Sequence, residues 1–201
     1  MVKKCVRPRG RPRTFDESEA VLQAMKVFWL KGYDATTIDD LVEGMGVQRP
    51  SLYAIFGDKT TLFMRCLEEY VARGACAMQT QLCQPDIRQV ISGILKSAVE
   101  NATREGEHLG CMLASVAPLV DNDVIRDYIA QKGKESSAAV ERRFQVGIDA
   151  GELPKNFPAA QRARQTLDIA AGLTIRARTG VSRDELLVDA EDASKLIIGL
   201  W

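Results

Sequence analysis

The chain has 201 residues, 46% of them hydrophobic, with 27 Lys and Arg balanced by 27 Asp and Glu; this suffices for one ordinary domain, or a small one fused to a larger, with a core that needs no disulfide staple. No apolar run approaches the roughly 18 residues of a membrane span, and the basic N-terminus leads into polar residues rather than a signal-peptide core, which fits a cytoplasmic protein with no membrane partner. The cysteines at 5, 66, 76, 83 and 111 are odd in number and lack any C-x-x-C pair, which fits neither a disulfide framework nor a structural zinc site and leaves no metal or other cofactor implied.

The neutral total conceals two opposed parts. Residues 1–13 hold Lys3, Lys4, Arg7, Arg9, Arg11 and Arg13 without an acid, and the remaining 21 cations face 27 acids, a net charge of −6. Within RPRGRPRTF, Gly10 and the flanking prolines prevent a helix, so Arg9 and Arg11 lie on an extended strand suited to a narrow A·T-rich minor groove. Basic tails also bind membranes or RNA, so the arm alone decides little.

The following segments read as helices. Asp16 with Glu19 forms a D-x-x-E start, after which Val21, Met25, Phe28 and Trp29 share one face and Gly32 is placed for a left-handed cap. Thr36 and Thr37 introduce Ile38, Leu41, Val42 and Met45, a helix of about two turns that stops at Gly46. The stretch QRPSLYAIF places Pro50 in a first turn, with Leu52 and Phe56 four apart. Asp58 caps a longer helix striped by Leu62, Phe63, Cys66, Leu67, Tyr70 and Val71. After Pro85 the face Ile87, Val90, Ile91, Ile94, Leu95, Ala98, Val99 and Ala102 is the most regular of the chain. A short apolar piece from Gly110, a helix over about 122–150, and two more over 158–179 and 182–200 complete an all-α fold. No segment shows sustained period-two alternation.

Segments 36–45 and 48–56, joined at Gly46 and Val47, have the format of a helix-turn-helix, in which the first helix braces the second in the major groove. Ile38, Leu41, Val42, Val47, Leu52 and Phe56 pack inward, leaving Gln48, Arg49, Ser51 and Tyr53 outside with groups suited to base edges and phosphates. A merely solvated helix hairpin has the same spacing. Lys59 weighs against that reading, because a cation in the first turn of a helix is disfavoured by up to about 1 kcal/mol and a phosphate partner accounts for it.

The run from Ala24 to Phe63, AMKVFWLKGYDATTIDDLVEGMGVQRPSLYAIFGDKTTLF, resembles the TetR/AcrR family of bacterial transcriptional regulators over about 40 residues without a gap. The matching marks are F-x-x-x-G-Y, T-T, G-V, L-Y-x-x-F and K-x-x-L-F, and the RGRP arm, RPSLY and the GCM element at 110–112 are similar to one subgroup. The resemblance implies an N-terminal three-helix DNA-binding domain and a C-terminal helical bundle for ligand binding and dimerisation. The divisions are 1–15 for a basic arm, 16–61 for the DNA-binding domain and 62–201 for the remainder. It further implies a homodimer on a palindromic site of double-stranded DNA and a repressor released by a small-molecule effector. Thr37, Tyr53 and Lys59 match phosphate-contacting places, and Gln48, Arg49 and Ser51 match places that face bases. Where many members have His before the Phe of L-Y-x-x-F this chain has Ile55, so neither Ile55 nor Ala54 receives a DNA contact.

Cys111 opens a short helix in the region where members build their pocket, and is the candidate for sensing a thiol-reactive effector, the alternative being an inert packed thiol. His108 precedes it by three residues, but two ligands do not complete a metal shell. One histidine, no Ser/His/Asp set, no G-x-S-x-G and no phosphate loop argue against an enzyme. An architectural DNA binder without effector is the other alternative, favoured if the C-terminal half is solid. For the dimer, Leu186, Ala190, Ala193, Ile197 and Leu200 repeat at four, three, four, three, and the preceding helix carries Ala163, Leu167, Ala170, Ala171, Gly172 and Ala177; a bundle across a twofold is the preferred reading, and absorption into one subunit's core the other.

The arm is open to a direct measurement. Deleting residues 1–13 weakens DNA binding and flattens its salt dependence by about one unit of slope for each arginine that displaces counterions. An unchanged slope in binding titrations across salt concentrations identifies it as a tail.

Overall fold

The computed structural model describes residues 16–104 and 109–199, so the arm with Arg9 and Arg11, His108, Leu200 and Trp201 lie outside the described residues. Among the described residues there are nine α-helices and no strand: α1 Glu17–Lys31, α2 Ile38–Met45, α3 Arg49–Phe56, α4 Lys59–Leu82, α5 Ile87–Ala102, α6 Met112–Ser115, α7 Asp123–Asp149, α8 Ala159–Arg178 and α9 Arg183–Ile198. A 3-10 turn, Ala117–Leu119, lies between α6 and α7. No helix among the described residues is long and apolar enough to cross a membrane.

Local chemistry sets the helix starts. Asp16 accepts from the backbone N–H of Ser18 and Glu19, Asp58 from Thr61, Asp86 from Gln89, Asn122 from Ile125 and Ser182 from Glu185, each satisfying a donor with no partner inside its helix. Only half of the expected D-x-x-E box forms at α1, because the Glu19 carboxylate accepts from Gln23 Nε2 at 2.5 Å. The full reciprocal box is at α2, where Thr37 Oγ1 accepts from Asp40 N at 3.1 Å and Asp40 Oδ2 from Thr37 N at 2.9 Å. Gly46 supplies the left-handed cap of α2 with φ 64° and ψ 32°, whereas Gly32 has φ 79° and ψ 166°, a positive φ outside the left-handed helical region.

The side chains assemble two cores. The first joins Ala24, Phe28 and Trp29 of α1, Leu41 of α2, Leu52 and Phe56 of α3, and Leu62, Phe63, Cys66 and Leu67 of α4. It takes in Met112, Val116, Ala117, Val120 and Ile125 from the segment after α5 as well. Phe28 is its aromatic centre, edge-on to Phe63 at 4.9 Å between centroids and stacked on Tyr33 at 6.0 Å. The second core holds the buried face of α5 with Val140 and Phe144 of α7, Ala163, Leu173 and Ala177 of α8, and Leu186, Ala190 and Ile197 of α9. Helix α4 serves both, since Met78 and Leu82 at its far end pack against the second.

This packing corrects the expected dimer seam. Leu186 and Ala190 are fully buried and Ile197 is 2% exposed inside the subunit's own second core, with Ala193 packed against it. On α8, Ala163 and Ala177 are buried there too, while Leu167, Ala170 and Ala171 line a cavity. A four, three spacing marks a helix that packs along another helix without saying whose; here the partner is the α5 stripe of the same chain.

The α1–α2 corner carries a titration signature. Lys31 Nζ donates to Asp40 Oδ1 at 2.6 Å, and this bond, with those from Thr37, holds the Asp40 carboxyl down at about 2. A carboxyl depressed in the folded state contributes stability that is full above its unfolded value near 4 and is lost as pH falls from there towards 2. Acid unfolding followed by circular dichroism therefore has a shallower slope between pH 4 and 2 in Asp40→Asn than in the wild type. Identical slopes would place the charge elsewhere.

Candidate nucleic-acid interface and effector cavity

Helix α3 is eight residues long, too short to hold its shape alone, and is fixed by Leu52 at 0% and Phe56 at 1% exposure. The same rotation leaves Gln48, Arg49, Ser51 and Tyr53 exposed, Tyr53 at 48%, while Ile55 is half-buried. Gln48 is the N-cap residue but its side chain makes no cap bond, so its amide faces outward uncommitted by the helix. Arg49 Nη2 pairs with Asp39 Oδ1 of α2 at 2.6 Å. Thr37 accepts the Asp40 N–H, which leaves its hydroxyl hydrogen to donate outward.

Lys59 has partners that its position in the sequence did not announce. Its Nζ lies 4.4 Å from the Tyr33 ring centroid and 3.4 Å from the Asp34 carbonyl oxygen. Cation–π attraction of this kind offsets the unfavourable end of the α4 dipole within the chain, so the dipole by itself does not require a phosphate there. Tyr33 is in turn tied to α4 by a 2.8 Å hydrogen bond between its hydroxyl and Thr60 Oγ1. The ammonium is thus held beside the N-terminus of α4, on the chain segment that follows α3.

The C-terminal half is not solid. A cavity of about 510 Å³ opens among α4, α5, α6, α7 and α8, lined chiefly by apolar atoms of Met78, Ala98, Leu113, Ile129, Leu167 and Ala171. Its polar atoms come from Tyr70, Asn101, Cys111, Ser136 and Thr174, with Lys132 and Asp168 the charged members. Clefts of about 560 and 720 Å³ between α5 and α9 lie on the outer surface, where Lys96, Glu191 and Lys195 line both. The α4–α8 cavity has the apolar wall and few polar groups of a small-molecule site. Cys111 is half-buried on it, and its Sγ accepts from the Tyr70 hydroxyl at 3.2 Å. Cys66, by contrast, is buried in the first core, where desolvation pushes its thiol well above the usual range, and cannot serve as an accessible nucleophile. No group of three or more metal-ligating side chains occurs among the described residues.

The cavity reaches the DNA-binding helices through one aromatic junction. The Tyr70 ring stands edge-on to Trp29 at 5.2 Å, and Trp29 Nε1 donates to the Leu109 carbonyl at 3.3 Å, two residues before Cys111. Arg178 at the end of α8 donates to the Trp29 carbonyl at 3.0 Å. Gly110 permits this closeness: at φ 95° its added Cβ would stand 3.0 Å from Arg178 Cβ and 3.2 Å from the Thr174 carbonyl oxygen. In the sequence Trp29 and Tyr70 register only as stripe residues; the signal available was that a buried indole or phenol needs a partner for its polar end. Nothing in the sequence marks Arg178 or Asp39.

Comparison with known proteins follows the same lines. The family model for bacterial regulatory proteins of the tetR family matches residues 21–66, which span most of α1 through the start of α4. The chain is 32% identical over 191 residues to the HTH-type transcriptional repressor ComR of Escherichia coli (strain K12), covering 92% of this chain and 90% of that one. It is 29% identical over 203 residues to the repressor BdcR of the same strain, covering 98% and 96%. Among solved structures, a cysteine-substituted TetR family regulator, CifR, complexed with 26 bp double-strand operator DNA is similar with a TM-score of 0.84 at 30% identity, over 92% of this chain and 98% of that one. With this helix-turn-helix at its head and this likeness over nearly its whole length, the chain belongs to the TetR family of bacterial transcriptional regulators.

Proposed function

We propose that the protein is a ligand-responsive repressor that binds a palindromic operator as a homodimer through α3 and releases it when a small molecule enters the α4–α8 cavity. The observation that carries this reading is the sharing of α4: its first turns pack under α3 and Tyr70 lines the cavity. The repressors ComR and BdcR, and the operator complex of CifR, support repression and duplex binding here. The cavity favours a regulator over an architectural DNA binder, and regulatory relatives favour a binding protein over an enzyme. In this reading residues 1–15 are the arm, with Arg9 and Arg11 in the minor groove, 16–61 bind DNA, and 62–201 hold the effector and the dimer in the cytoplasm. With the expected seam buried, the dimer uses the outward faces of α8 and α9, where Ile175, Val188 and Leu196 are exposed.

The contacts divide into two kinds with different readouts. Replacing Tyr53 or Lys59 by Ala, or Thr37 by Val, weakens binding to every duplex alike and lowers the salt slope for the lysine by about one unit. Replacing Gln48, Arg49 or Ser51 by Ala changes preference among sequences, by about 1–3 kcal/mol for a bidentate base contact. Gel-shift titrations on operator and scrambled duplexes separate the two, and one common pattern for both sets would refute the division.

The cavity walls suit a largely apolar, uncharged effector, and Cys111 adds a nucleophile. N-ethylmaleimide is expected to release DNA from the wild type and to leave Cys111→Ser bound, with the DNA affinity of the variant near wild type. Release from Cys111→Ser would move the response to another thiol, exposed Cys76 or Cys83 or Cys5 of the arm.

A further inference from the structure

Arg49 opens α3, at the end where the helix dipole is positive, and no acid stands in the first turn of that helix. The compensating carboxylate comes from α2. Asp39 Oδ1 stands 2.6 Å from Arg49 Nη2, with the Asp39 side chain 81% exposed and that of Arg49 54%. Asp39 lies in the first turn of α2, where its charge suits the helix dipole, but the reciprocal cap there is made by Thr37 and Asp40 without it. An ion pair this exposed also adds little to folding, because water and salt screen it. What distinguishes it is position: a negative charge beside the recognition helix, on the surface that meets a polyanion.

We infer that Asp39 is a specificity-determining residue of the DNA interface, holding the Arg49 guanidinium in one orientation and opposing any DNA that does not satisfy both charges. The inference rests on the DNA-binding reading above. A guanidinium has five N–H donors in a fixed plane, so one edge can remain on Asp39 while another presents two parallel donors to guanine O6 and N7. The carboxylate is itself an acceptor for a cytosine N4 amino group. A G·C step placed under the pair satisfies both side chains. Where the guanidinium instead turns to a phosphate, Asp39 is left unpaired against the negative backbone. Asp39 therefore weakens binding to arbitrary sequence more than binding to the operator, the repulsive half of discrimination between the two.

The test uses the full-length protein and a pool of random-sequence duplexes, selected and sequenced on wild type, Asp39→Asn, Asp39→Glu and Arg49→Ala, with affinity for one scrambled duplex measured across salt. Wild type is expected to enrich an inverted repeat with a fixed G·C pair in each half. Asp39→Asn loses preference at that pair, binds the scrambled duplex several-fold more tightly with a salt slope steeper by about one unit, and discriminates about tenfold less. Asp39→Glu keeps the preference, and in an Arg49→Ala background Asp39→Asn changes base preference less than it does beside an intact Arg49. Thermal unfolding monitors the fold, and Asp39→Ser repeats the measurement with a second neutral side chain. Unchanged preferences in Asp39→Asn, or equal tightening on selected and scrambled duplexes, would overturn the inference. A wild type that enriches no sequence overturns the operator-binding reading, a result distinct from either.

Discussion

An eight-residue helix in water does not persist, since nucleation fixes several dihedrals before its hydrogen bonds accumulate. Everything the protein does at DNA depends on overcoming that through Leu52 and Phe56, which anchor α3 in the first core beside Leu41 and Leu62. The core that holds α3 is built as much from α4 and the segment after α5 as from α1 and α2. The reading head therefore has no core of its own that would be indifferent to the rest of the chain. Movement of α4 or of the segment around Met112 is movement of the floor on which α3 rests.

Charge is arranged with the same economy. The residues after the arm carry a net −6, so a duplex approaching at random meets a body that repels it. Beside α3, the cations Arg49 and Lys59 are held by Asp39 and Tyr33. Cations restrained in this way lose less conformational freedom on binding than free side chains would, and they reach fewer wrong geometries.

The helices and the reading head were legible because their signals are local. Capping residues, glycines with positive φ and apolar periodicity are properties of a few consecutive positions, and they placed α2, α3 and α5 to within two residues of their observed ends. The outward set Gln48, Arg49, Ser51 and Tyr53 followed from the burial of Leu52 and Phe56 alone. What stayed hidden depends on distant pairs: Asp39 with Arg49, Lys59 with Tyr33, Trp29 with Leu109 and Arg178. The α9 stripe shows the limit most plainly, since periodicity revealed a buried face and left its partner undetermined. Cys111 was marked by its place in the GCM element, but its contact with Tyr70 joins positions 41 residues apart.

The junction at Trp29 sets a scale for regulation. It includes two hydrogen bonds, from its indole to Leu109 and from Arg178 to its carbonyl, and an aromatic edge contact with Tyr70. Neutral hydrogen bonds contribute about 1 kcal/mol each, a charged donor somewhat more, and an aromatic pair about 0.5–1.5 kcal/mol. If an effector acts by exchanging this set for another, about 3 kcal/mol is available, or about 150-fold in operator affinity. The ratio between silenced and induced transcription then depends on how differently these contacts are made in the two states, and not on how tightly the cavity holds its ligand. Leakiness and full induction become two ends of one quantity, and the same effector in a relative with a looser neck would switch its genes less completely.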